Sequence, residues 1–139
     1  MCKFFTIAVL LCLNTFANSQ SITENTILGK WTVVKILKQK PDAPEFKMFS
    51  DMFRDAYFVF NKDYTFQLNS TKPNFLFAEF AKMTKDTRWR LNSKTNEILI
   101  GTKQDNYSTL RLTMKQKDEV THIEMDEGEF YLLFEVKKG

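Results

Sequence analysis

From Thr87 to Val136, apolar and polar residues alternate in runs broken by short polar turns. In Thr87–Leu91, Trp89 and Leu91 alternate with Arg88 and Arg90. Glu97–Thr102 places Ile98 and Ile100 on one face. In Tyr107–Lys115, Leu110, Leu112 and Met114 alternate with Thr109, Arg111 and Thr113. Glu119–Met125 carries Ile123 and Met125 on one side, and Glu129–Val136 sets Phe130, Leu132, Phe134 and Val136 against Tyr131, Leu133 and Glu135. A period of two marks a strand with one buried face. Three further runs lie upstream. Thr26–Lys38 is rich in β-branched and aromatic residues and is entered through Gly29. Tyr57–Phe60 and Tyr64–Leu68 flank Asn61-Lys62-Asp63 as a hairpin, with Asn69–Lys72 as the loop that follows.

Two segments break this rhythm. Glu45–Arg54 spaces Phe46, Phe49 and Phe53 as a helix does, with Pro44 suited to the first helical position. Pro73–Met83 puts Leu76, Phe80 and Met83 on one helical stripe, with Phe75 and Phe77 off it. The total is eight strands joined mostly by hairpin-length turns. A meander of that length leaves two bare edges unless it closes, and eight strands close around packed side chains or one small ligand. The predicted fold is all-β: an eight-stranded antiparallel up-and-down barrel with one or two short helical segments.

The first residues change the picture of compartment. Lys3 precedes an apolar run, Phe4–Leu13, and then Ala17-Asn18-Ser19. That order is the pattern of a secretory signal peptide. The run is about half the ~20 residues a membrane helix needs. Residues 1–19 are read as the signal, with cleavage after Ser19, or alternatively after Ala17, and 20–139 as one barrel domain. Leu11 is too bulky to precede a lipid-modified cysteine at position 12. Cys2 and Cys12 both leave with the signal, so the mature chain has no thiol, disulfide or thiolate metal site. The expected product is secreted or periplasmic, with no integral membrane segment; its oligomeric state is not set by the sequence. A net charge of +3, evenly interspersed, lacks the concentrated footprint that nucleic acid requires. Four Gly and three Pro exclude collagen-like or Pro-rich architectures, whereas fourteen Phe is a high count.

Gly29-Lys30-Trp31 entering the first strand, after a signal and before an eight-strand meander, resembles the lipocalins. More closely it resembles the lipocalin-like domains of secreted bacterial proteins, which are calycin-type β-barrels. The resemblance implies structural roles at the barrel floor: Gly29 lets the backbone turn in closely and the Trp31 indole plugs the closed end. In larger lipocalins a late-strand arginine covers this tryptophan, ahead of a C-terminal helix. Here the last strand ends Val136-Lys137-Lys138-Gly139, with no arginine and no helix. Asp105-Asn106-Tyr107 is similar to the family's Asp-Tyr turn motif. Fatty-acid-binding proteins differ in having ten strands and a helical pair directly after the first.

Candidate chemistry is sparse. His122 is the only histidine, and it shares the outward face with Val120 and Glu124. Asp126, Glu127 and Glu129 form an acidic turn without the EF-hand spacing. No nucleophile elbow, zinc-protease motif or phosphate loop occurs. The chain is therefore read as non-enzymatic, with no catalytic residues, no metal and no cofactor. Arg88, Arg90 and Arg111 could anchor an acidic head group, but their alternation turns them outward. The remaining candidates are Phe46, Phe49, Phe53, Phe77, Phe80 and Met83 in the helical segments. These either plug the barrel as core or line an apolar cavity, since ligand pockets are mostly apolar and Met adapts to varied shapes. The expected function is binding of a small apolar or amphipathic ligand in the barrel. The alternative is a ligandless barrel serving as an interaction or structural module of the cell envelope.

Overall fold

The computed structural model describes residues 22–139, so the signal segment lies outside the described residues. Eight strands form one antiparallel sheet: β1 Gly29–Lys40, β2 Ala56–Phe60, β3 Phe66–Ser70, β4 Arg88–Asn92, β5 Glu97–Gly101, β6 Leu110–Lys117, β7 Val120–Asp126 and β8 Tyr131–Lys138. Their order is β3-β2-β1-β8-β7-β6-β5-β4, so the first and last strands meet at the centre. The two outer strands then approach each other and nearly close a barrel. Only the bridge Thr65↔Arg88 joins them, through Phe66 N donating to Thr87 O at 3.1 Å and Trp89 N to Tyr64 O at 2.9 Å.

β1 is the longest strand, at 12 residues, and its two neighbours take different stretches of it. Gly29–Thr32 pairs with β2, and Trp31–Lys40 with β8. Its register against β8 slips between Val33 and Lys35 and again between Ile36 and Lys38. Val34 and Leu37 are the extra residues and are exposed. Such bulges bend a strand and sharpen its twist, so β1 can curl around the barrel.

The inward side chains come from every strand. Phe58, Ile98, Ile100, Leu112, Ile123, Met125, Leu132 and Phe134 are wholly inaccessible to solvent. At one end of the barrel Trp31 is buried and its Nε1–H donates to Ile27 O at 2.8 Å. Gly29 adopts φ +119° there, a backbone geometry that L side chains rarely reach. Lys138 Nζ stands 5.6 Å from the Trp31 ring, so a cation covers the indole although the strand has no arginine.

Three helices are present rather than one or two: α1 Glu24–Ile27, α2 Pro44–Asp51 and α3 Phe75–Lys82. α1 replaces the expected start of the first strand at Thr26. Thr23 caps it, accepting from Thr26 N at 3.3 Å, and Ile27 drops into the floor beside Trp31. Most strand boundaries shift by one or two residues, and the larger shifts have local causes. Tyr64 has φ 69° and Tyr107 φ 55°, so both are turn residues and their strands begin at Phe66 and Leu110. Asn69 and Ser70, expected in a loop, extend β3 because they pair with Tyr57 and Ala56.

Candidate functional site

In an up-and-down barrel alternate connections share an end. α2 (β1–β2), α3 (β3–β4), the β5–β6 loop and the β7–β8 turn therefore gather at the end opposite Trp31. α2 starts at Pro44, whose fixed φ suits the first helical turn. Its buried Ser50 Oγ lies within hydrogen-bond distance of Gln39 Oε1 on β1 and, at 3.0 Å, of the Lys47 carbonyl, tying the helix to the strand. α3 is capped by Asn74, whose Oδ1 accepts from Phe77 N at 2.7 Å. In the β7–β8 turn, Gly128 N donates to Asp126 Oδ1 at 3.1 Å, and Glu127 N to Phe130 O at 3.1 Å. Glu127 Oε1 also accepts from Arg111 N at 2.9 Å, and burial raises its carboxyl pKa above the ordinary value.

These anchors bring a column of phenylalanines together. Phe53 is fully buried and lies 5.4 Å from Phe134, 5.4 Å from Phe80, 5.7 Å from Phe49 and 6.0 Å from Phe77. Above it, Phe49 meets Phe130 at 5.1 Å, Phe46 at 5.2 Å and Phe80 at 5.6 Å. Several of these pairs are edge-to-face, the arrangement the ring quadrupole favours. The upper rings stay half-buried and border an open cleft of about 670 Å³ with Met83, Pro41, Ala43, Glu45 and Glu129.

Of the six candidates, Phe46, Phe49, Phe80 and Met83 thus line one cleft. Phe53 and Phe77 lie beneath it in the core. Gly29 and Trp31 stand at the opposite end, away from this cleft. Sequence reasoning placed Phe130 on the inner face of the last strand and did not single out Glu45 or Glu129 for this site. The parity of the connections was the available signal, because it puts the β7–β8 turn beside both helices. The arginines take no part: Arg90 stacks on the Tyr107 ring at 4.7 Å, Arg111 pairs with Glu97 at 3.4 Å, and Arg88 borders a different cleft. That second cleft, of about 650 Å³, follows the open seam between β3 and the segment after α3.

Family models, curated proteins and solved structures give no significant match to the chain. The chemistry of the site therefore rests on its own geometry. Among the described residues no three metal-ligating side chains converge, and no helix is long and apolar enough to cross a membrane.

Proposed function

We propose that the protein is exported and binds a small apolar or amphipathic molecule without catalysis, at the mouth of a lipocalin-like barrel. The observation that carries this reading is the cleft itself. Phe46, Phe49, Phe80 and Phe130 remain half-buried and Met83 is 53% exposed, although a fully packed core lies directly below. Apolar surface left to water has a cost that a ligand relieves, and 670 Å³ falls within the size range of small-molecule pockets. Ile98, Ile100, Leu112, Ile123, Leu132 and Phe134 are wholly inaccessible inside the barrel, which favours a ligand at the mouth over one deep in the interior. Export is supported by the order of Lys3, Phe4–Leu13 and Ala17-Asn18-Ser19. Intact mass of the secreted product should show a start near Gln20; a retained leader would reject export.

Uptake of a neutral solvatochromic dye tests the site. Competing single-chain ligands should bind more tightly by about 0.8 kcal/mol per added CH₂ until the cleft is full. Phe49→Asp and Phe80→Asp should abolish uptake while the strand signal in circular dichroism persists. A folded protein that takes up no dye would reject the reading. The interaction-module alternative draws on one observation: Phe75, at the start of α3, is 79% exposed. Under that alternative Phe75→Ser would abolish association with a partner and leave the dye result unchanged.

A further inference from the structure

We propose that the ligand of the mouth cleft is an amphipathic cation, an alkyl chain or ring system bearing an ammonium group. This deepens the ligand-binding reading and rests on it. Two features of the lining carry the inference. The first is aromatic: Phe46, Phe49, Phe80 and Phe130 border one space. Phenylalanine faces carry the negative side of the ring quadrupole and attract cations, quaternary ammonium groups included. The second is charge. Glu45 and Glu129 are the only ionisable residues on that lining, both are exposed, and neither forms an ion pair among the described residues.

The acidic rim runs against the chain as a whole, whose net charge is +3. The adjoining shallow groove shares Glu129 and Phe130 and adds Asp126 and Lys40. The Lys40 ammonium is turned to the Tyr131 ring, 5.8 Å from its centroid. An anionic head group would meet two carboxylates here and no cation on the lining. An ammonium head would find two unpaired carboxylates and four phenylalanine rings on the same lining, while its chain covers apolar side chains such as Met83.

The test uses three amphiphiles of equal alkyl length, below their micelle concentrations, with trimethylammonium, maltoside and sulfate heads. Each displaces the neutral dye from the purified protein. Exposed ion pairs and cation–π contacts are individually modest, so the trimethylammonium compound should bind about tenfold more tightly than the maltoside. The sulfate should bind more weakly than the maltoside. The preference should shrink in high salt, because exposed charges are screened. The double variant Glu45→Gln/Glu129→Gln should lose most of the cation preference, read as the ratio of trimethylammonium to maltoside affinity; both positions are exposed, so its fold should persist in circular dichroism. Equal binding of all three heads would overturn the cation proposal and leave the cleft a ligand site. Tightest binding of the sulfate would overturn it as well. No binding of any head would overturn both readings together.

Discussion

Truncating Phe53 to alanine should separate the bolt of the mouth from its lining. The ring is wholly inaccessible and sits where the end of α2, α3 and β8 meet, with four aromatic neighbours between 5.4 and 6.0 Å. Deleting a buried phenyl ring costs about 3–5 kcal/mol, transfer and residual cavity together. A domain of this size has a total stability of about 5–15 kcal/mol, so the loss is a third or more of it for most values in that range. With a urea slope of about 2 kcal/mol per molar, the unfolding midpoint should fall by about 2 M. Phe53→Leu should fall less and keep a folded protein for comparison. Phe46→Ala is the counterpart on the cleft. Its ring is half-buried, so stability should drop by about 1 kcal/mol while dye uptake is lost. Equal midpoints for Phe46→Ala and Phe53→Ala, or a Phe53→Ala midpoint within about 0.5 M of wild type, would refute the division into core and lining.

Three further outcomes follow from the same structure. Burial raises the Glu127 carboxyl pKa above its ordinary 4.5, so the ionised form is penalised in the fold; the native state's advantage is present below 4.5 and lost as pH rises through the shifted value. Glu127→Gln should therefore raise the melting temperature near neutrality and give no gain below pH 4.5, and a gain that is the same at both pH values would contradict this. A Cβ at Gly101 would stand 2.7 Å from Tyr107 Cα and 2.9 Å from Ser108 N, so the backbone itself must move. Gly101→Ala should cost about 1–3 kcal/mol in thermal or urea unfolding, and an unchanged stability would show that the β5–β6 loop yields freely. Along β3 only the bridge at Thr65 reaches β4, and by strand alternation the amides of Leu68 and Ser70 face the open seam. Amide exchange there should be much faster than in β8, which is paired on both sides; uniform protection would mean the barrel is fully closed.

Much of the barrel was legible because its strands keep a strict period. Leu110, Leu112 and Met114, or Leu132, Phe134 and Val136, show their buried face without reference to any other part of the chain. Pro44 marked the first turn of α2 by its own covalent geometry. The boundaries that moved belong to residues whose backbone departs from local preference. Tyr64 and Tyr107 look like strand residues but take positive φ, held by turn hydrogen bonds such as Tyr107 N to Thr102 O at 2.9 Å. The bulges at Val34 and Leu37 arise from the register that β8 imposes on β1.

At the mouth, helical spacing by itself grouped Phe46, Phe49 and Phe53 on one face of α2, whereas on α3 it grouped Leu76, Phe80 and Met83 and left out Phe77, the ring that the structure buries. Only the tertiary structure decided their depth. Phe53 is covered because Phe134 from β8 and Phe77 and Phe80 from α3 pack around it, and Phe77 is buried against Phe53; Phe46, Phe49 and Phe80 border the open cleft, with Phe130 of the β7–β8 turn as their neighbour. Periodicity records which side of an element avoids water, whereas depth depends on what distant segments bring to that side, and here Phe53 is covered by rings as far along the chain as Phe77, Phe80 and Phe134.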